Sequence, residues 1–270
     1  MDNSAQLVQR HTRRSWEVIS IVLDLWVLVA LGGVGIVAGF VDAVAGGGGL
    51  IALPALMSVG LSPVAALATN KAQSVVGTFA AAITFWRGGY VVLRTLIPGI
   101  IMTFVGSYAG ALVVKAIDTS ALSVAVPVAI VAVALYFSFS PSIKDVDRIA
   151  KLKFAIFVPV IGFIIGFYDG IFGPGTGSFF MLAFVALFGL SATRASAHTK
   201  VLNVTSNLAA LALFIPAGDV VWSAAAAMAI GQIIGGYLGA LTGIRFGAKI
   251  IRPLVIVVSI ALAIRLIIFS

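Results

Sequence analysis

Apolar runs of about 20 residues recur along this chain, the length a helix needs to cross a bilayer, and short polar or glycine-rich breaks separate them. A long run from Val18 to Ala45 is cut by Gly46–Gly49, and a short run, Leu50–Val59, follows. Gly60–Pro63 interrupts the chain again before runs at 64–86, 91–114 and 120–139. After the hydrophilic stretch SPSIKDVDRIAKLK the order returns: 154–172, a break at Gly173–Gly177, a short run 178–188, a break at Gly189–Ser191, then 192–214, 220–244 and 250–269. At roughly 1.5 Å per residue each short run reaches only about half the membrane thickness. The pattern predicts an all-α integral membrane protein with two repeated multi-helix halves. About eight helices span the bilayer, with a short broken or re-entrant helix in each half. The organisation is a polar N-terminal tail at 1–15, a first transmembrane repeat at 16–139, a linker at 140–153 and a second repeat at 154–270.

The two halves share more than a count of runs. Gly39-Phe40-Val41-Asp42 returns 127 positions later as Gly166-Phe167-Tyr168-Asp169. Gly60-Leu61-Ser62 returns after 129 positions as Gly189-Leu190-Ser191, and Lys71 as Lys200. Gly106-Ser107-Tyr108-Ala109-Gly110-Ala111 matches Gly235-Gly236-Tyr237-Leu238-Gly239-Ala240, so a single two-residue insertion aligns both halves. Ordered matches of this kind indicate a duplication. Duplicated halves with interrupted apolar segments at corresponding places point to a transporter and to its binding site. Backbone freed by glycine and proline survives in a membrane only where protein or a watery cavity satisfies it. The breaks at Gly46, Gly47, Gly48 and Gly49 and at Gly173, Gly175 and Gly177 are therefore expected to face inward and to line a site. The bland alternative is that they only permit close helix packing. That reading is preferred for Gly106/Gly110 and Gly235/Gly239, whose spacing is a packing signature.

Composition agrees with a membrane solvent: 61% of residues are apolar, 10% are charged and none is cysteine. The net charge of +8 is not a nucleic-acid footprint. Basic residues sit in the polar breaks: Arg10, Arg13 and Arg14; Arg87 and Arg94; Lys144, Arg148, Lys151 and Lys153; Arg245, Lys249 and Arg252. Positive-inside sorting produces that distribution. The first apolar run is too long for a signal-peptide core and ends in glycines without an Ala-x-Ala site, so it reads as a retained helix. If the short segments are re-entrant, each half has four spans, the halves lie parallel and both termini are cytoplasmic. If they cross, the halves are inverted and the termini lie outside. The charge rule barely separates the two, and four spans per half is the reading taken.

Ionisable groups inside a membrane are costly and are functional hypotheses by default. The predicted spans hold Asp24, Asp42, Lys71, Asp169, Arg194, Lys200 and Arg265, and four of these form the repeat-related pairs Asp42/Asp169 and Lys71/Lys200. Lys71, Ser74 and Thr78 share a helical stripe, as do Lys200, Asn203 and Asn207. Asn70 and Thr199 stand beside the lysines. Two such stripes would offer two ammonium groups among hydroxyl and amide donors, which suits a small, oxygen-rich anion; free N–H groups at a glycine-broken helix start favour the same charge. Asn70, Lys71, Ser74, Thr78, Thr199, Lys200, Asn203 and Asn207 are the candidate substrate contacts. Asp42, Asp169 and His198 are the candidates for coupling. The alternative is that the lysines neutralise the aspartates as structural pairs or snorkel to an interface, and that His198 is a packed polar residue.

No Cys/His metal cluster, nucleophile elbow or Walker loop occurs, so neither an enzyme nor an ATP-driven pump is legible, and no cofactor or metal is expected. The segment GFVDAVAGGGGLIALPALMSVGLSPVAALATNKAQS resembles the sulfite exporter TauE/SafE family, also called the toluene-sulfonate-uptake family. Its degenerate copy GFYDGIFGPGTGSFFMLAFVALFGLSATRASAHTKVLN shares the resemblance, which runs over about 18–268. The second copy departs from the first: Pro54 corresponds to Met181, and Thr69-Asn70 to His198-Thr199. The resemblance implies secondary transport of a sulfur-containing or organic anion such as sulfite or a sulfonate. It also implies a bacterial-type cytoplasmic membrane and coupling to a proton or membrane gradient. The expected partners are a small anionic substrate and the lipid bilayer. A passive anion channel is the alternative; an intramembrane enzyme using Asp42, Asp169 and His198 lacks a nucleophile–base pair.

Overall fold

The computed structural model describes residues 23–117 and 153–247, together with positions 121, 124, 125 and 128. Regular structure among the described residues is helical throughout. The long first run folds as α1, Leu25–Ala45. It stops at Gly46, which takes a left-handed φ of 76° and returns its N–H to Asp42 O at 2.7 Å. That is the conformation glycine reaches without a Cβ penalty. One residue later α2 begins, Gly48–Ser58 with Pro54 inside it. The next helix, α3 (Pro63–Arg87), starts at Ser62, whose Oγ accepts the Ala65 N–H at 3.3 Å, with Pro63 in its first turn. Then follow α4 (Leu93–Ala116), α5 (Phe154–Ile171) and α6 (Thr176–Leu182), which widens into π-helical turns over Ala183–Phe188. The last two are α7, Ala192–Phe214, and α8, Trp222–Phe246.

The breaks are narrower than the glycine runs. The chain leaves the helix at Gly46–Gly47 and again between Ile171 and Thr176, while Gly48, Gly49 and Gly177 already belong to the first turns of α2 and α6. Glycine tolerates non-helical backbone but does not impose it. Asp24 falls outside the first span: it is the exposed residue before α1, and its side chain makes no cap hydrogen bond. Among the described residues four helices, α1, α4, α5 and α8, are long and apolar enough to cross a membrane, against about eight spans expected of the whole chain. The predicted helices at 120–139 and 250–269, the linker 140–152 and the tail 1–15 lie outside the described residues, apart from isolated positions in the first.

Burial is inverted relative to a water-soluble domain. Large apolar side chains face outward: Trp26 is 81% exposed, with Ile101 and Phe104 on α4 and Ile230 and Leu238 on α8. The polar side chains are inside, on α3 and α7. Hydrocarbon rewards that arrangement and water penalises it.

Helices pair by small residues. On α8, a Cβ added to Gly239 would stand 2.6 Å from Phe40 O of α1; on α1, one added to Gly39 would stand 2.8 Å from Gln232 O. The same contact joins α5 to α4: a Cβ on Gly166 would lie 2.7 Å from Thr103 O, and one on Gly162 2.8 Å from Gly99 O. Backbones this close exclude any side chain, which is the packing that glycine allows in membranes. Each opening helix of a sequence half therefore lies on a helix of the other half, or on one that precedes the linker. α3 and α7 run through the centre and touch each other as well as α8 and α4.

Candidate functional site

The two breaks meet. Ser178, near the start of α6, donates its N–H to Gly46 O at 3.2 Å and its hydroxyl to Ala45 O at 2.6 Å. It thereby satisfies carbonyls that α1 leaves open at its end. A Cβ on Gly177 would stand 2.5 Å from Gly46 Cα, and one on Gly49 would stand 3.4 Å from Pro174 Cα. Ser178 and Gly177 thus cross the first break at close range, and Pro174 lies over the start of α2.

The four intramembrane charges gather at this crossing, and they pair between the halves. Lys71 of α3 places Nζ 2.6 Å from Asp169 Oδ1, at the end of α5. Lys200 of α7 lies 2.9 Å from Asp42 Oδ2, at the end of α1, and also bonds Asp42 O. Both lysine side chains are 1% exposed, Asp169 2% and Asp42 11%. Neither lysine snorkels. Charges held this deep are tolerated when paired, and losing one member of such a pair costs about 3–5 kcal/mol.

The two pairs differ in their surroundings. Lys200 uses two of its protons on Asp42, and no buried atom of that pair lacks a partner. Lys71 meets Asp169 Oδ1 alone, with no main-chain carbonyl bonded beside it, and Asp169 Oδ2 is buried without a donor. Thr176 lies 2.6 Å from Asp169 Oδ1 and 2.8 Å from Gly173 O. Sequence reasoning missed Thr176, because a threonine after a glycine break carries no signal until the break folds back on Asp169.

The other candidates take these places. On α3, Gln73 Nε2 donates to Asn70 Oδ1 at 2.8 Å and to Ser74 Oγ at 3.0 Å, while Thr78 donates to Ser74 O at 2.7 Å. Ser74 and Thr78 are thus engaged within their own helix. Asn70 Nδ2 faces the start of α2, where a Cβ on Gly49 would meet it at 3.6 Å. On α7, Thr199, Asn203 and Asn207 are buried, and Thr199 Oγ1 has no partner. His198 donates its Nδ1–H to Arg194 O, 2.7 Å away, and its ring packs on Phe154 and Phe184. That aromatic seat gives it the surroundings of a packed polar residue. Gln73 and Gln232, both buried with one amide atom unpartnered, were not among the sequence candidates. A lone glutamine in the apolar stretch Ala229-Ile230-Gly231-Gln232-Ile233 was the available signal for the second.

No group of three or more His, Cys, Asp or Glu suited to a metal occurs among the described residues. Two cavities among the described residues are apolar, and none of the four charged residues lines them: one of about 440 Å³ between α5 and α6 beside Ile164, Phe179 and Leu187, and a smaller one of about 160 Å³ beside Phe79, Trp86 and Val204. The crossing is a buried polar centre. It presents two cations, two carboxylates and several amides to anything that would enter.

Residues 31–266 match the family model described as Sulfite exporter TauE/SafE. A probable membrane transporter protein, ORF9, from Sinorhizobium sp. is 43% identical over 85% of this chain and 88% of its own length. The probable membrane transporter protein YfcA of Escherichia coli K12 is 42% identical over 86% of this chain and 87% of its own. A probable membrane transporter protein of Haemophilus influenzae is 44% identical over 84% and 89% respectively. No solved structure gives a significant match.

Proposed function

Because the chain belongs to the sulfite exporter TauE/SafE family, and its relatives are named probable membrane transporter proteins, we propose that it is a secondary transporter of a small sulfur-containing or organic anion. Sulfite and sulfonates are the leading substrates, the cytoplasmic membrane is the place, and a proton or membrane gradient is the drive. The observation that carries this reading is the pair of buried lysines, each 1% exposed, held where the two chain breaks cross. A buried cation in a polar centre is the chemistry that replaces an anion's hydration shell. The amide and hydroxyl groups of Asn70, Thr199, Asn203 and Asn207 add donors without adding charge. The crossing of Lys71 to Asp169 and of Lys200 to Asp42 supports two copied halves arranged about a common centre.

The test is transport in proteoliposomes, with sulfite, methanesulfonate and a carboxylate offered in turn. Uptake should rise when a pH gradient or potential is imposed, and Lys71→Met should lose it while remaining folded in the membrane. Unitary currents without gradient-driven accumulation would replace the transporter with a channel. No flux of any anion would overturn the reading.

A further inference from the structure

The two charge pairs are occupied unequally. The Lys200–Asp42 pair is complete: the ammonium bonds both the carboxylate and the main-chain carbonyl of Asp42, and no atom of either side chain is left buried and alone. The Lys71–Asp169 pair is incomplete. Lys71 Nζ has Asp169 Oδ1 as its one contact, where Lys200 has two, and Asp169 Oδ2 has no donor. Beside it, Thr176 has one hydroxyl proton and two oxygens in reach, Asp169 Oδ1 at 2.6 Å and Gly173 O at 2.8 Å, both acceptors when Asp169 is ionised. The cluster holds ammonium protons of Lys71 beyond the one Asp169 engages, and a carboxylate oxygen without a donor.

We infer that the Lys71–Asp169 pair is the substrate end of the site and the Lys200–Asp42 pair is a fixed clamp, with the anion taking over Lys71 as Asp169 takes up one proton. An anion cannot approach Lys71 while an ionised carboxylate stands 2.6 Å from the same nitrogen, since like charges in a desolvated centre repel strongly. A proton on Asp169 removes that charge. Its O–H at Oδ1 can donate to Thr176 Oγ1, whose own proton then goes to Gly173 O, and the ammonium exchanges one counter-anion for another. The charge balance closes: one anion and one proton enter, and the net charge of the centre is unchanged. At Asp42 no such vacancy exists, because the carbonyl bond holds Lys200 in place whatever the carboxylate does.

Among the described residues Lys71 of α3 forms the ion pair with Asp169, and Tyr168 of α5 is the other titratable side chain within reach of its charge. Tyr168, beside it on α5, turns its hydroxyl to Pro174 O at 2.8 Å. On α7, Lys200 is held by Asp42 and His198 lies among aromatic rings, while Lys115 of α4 pairs with Asp219. The pH response of binding is therefore assigned to Asp169.

This inference rests on the anion reading above, and the experiment separates the two. Wild-type protein in detergent is titrated calorimetrically with methanesulfonate, a monoanion without a proton of its own, in two buffers of different ionisation enthalpy. The difference gives protons taken up per anion bound; about one is expected, with affinity falling about tenfold per pH unit. Asp169→Asn, whose amide needs no proton, should bind with a count near zero and a flat pH profile. Asp42→Asn should keep the proton count, whatever it costs in affinity through the fold. A wild-type count of zero overturns the inference, and so does loss of the count in Asp42→Asn with its retention in Asp169→Asn. If Asp169→Asn does not fold, the wild-type count and pH profile decide alone. Failure of both methanesulfonate and sulfite to bind at any pH overturns the anion reading itself.

Discussion

Removing Lys200 should unlock the clamp between α1 and α7. Lys200→Met keeps the side-chain volume and removes the charge, leaving Asp42 with no cation within reach and only 11% of its side chain exposed. The main-chain carbonyl of Asp42 loses a donor at the same time. A stranded buried charge costs about 3–5 kcal/mol, and a lost hydrogen bond to a charged group about 1.5–3 within that sum. Asp42→Asn should cost less, since the amide oxygen still accepts from Lys200. The double variant should cost less than Lys200→Met alone, because the second change removes the stranded charge. The coupling between the two positions should therefore be on the order of 2–3 kcal/mol. Unfolding of all three variants and the wild type in mixed detergent–SDS micelles, read by circular dichroism, gives the cycle. Additive effects, or a Lys200→Met cost below about 1 kcal/mol, would refute the claim that this pair clamps α1 to α7.

Three further outcomes follow from other contacts. Gly239→Ala puts a methyl 2.6 Å from Phe40 O and 2.9 Å from Ala43 Cβ, so α1 and α8 must separate, and an overpacking cost of about 1–3 kcal/mol should appear in the same unfolding assay. Ser178→Ala leaves Ala45 O without its hydroxyl donor and should cost about 1 kcal/mol, and Ser178→Thr, which keeps the hydroxyl, should recover part of it. Lys115→Ala breaks the Lys115–Asp219 pair, but its lysine is 36% exposed, so the loss should stay below about 1 kcal/mol and shrink further in high salt.

Much of the fold was legible because a bilayer writes its demands into long uniform runs. Helices α3, α7 and α8 begin and end within about two residues of the apolar runs that foretold them, since Ser62-Pro63, Ser191 and the loop before Trp222 supply start signals that act locally. The glycine breaks were read too wide. Gly48 and Gly49 have no left-handed requirement and entered α2, whereas Gly46, Gly173 and Gly175 have φ values of 76°, 82° and 76° and could not continue a helix. Sequence shows the glycine but not its φ. The partner of each packing glycine was equally hidden, because Gly239 and Phe40 are brought together by tertiary contact alone.

The site was legible in its membership and illegible in its wiring. Cost identified Lys71, Lys200, Asp42 and Asp169: no other intramembrane charges came in corresponding pairs. Which lysine meets which aspartate depends on how the breaks cross, and no local pattern reports a crossing. The inequality of the two pairs has a local origin all the same. At Asp42 the following break is glycine only, Gly46 to Gly49, so the carboxylate has no hydroxyl to lean on and Lys200 closes on it and its carbonyl. After Asp169 the break reads Gly173-Pro174-Gly175-Thr176-Gly177, and the threonine reaches Oδ1 while Pro174 O receives the Tyr168 hydroxyl. The Thr176 hydroxyl thus stands between Asp169 Oδ1 and Gly173 O, and Lys71 keeps Asp169 Oδ1 as its one contact. The four-residue breaks differ at Pro174 and Thr176, and the threonine is the one whose side chain reaches the pair. Thr176→Gly, which removes that hydroxyl, should leave Lys71 and Asp169 to close on each other and weaken methanesulfonate binding. Tighter binding in that variant would mean that the threonine, and not the lysine, closes the site.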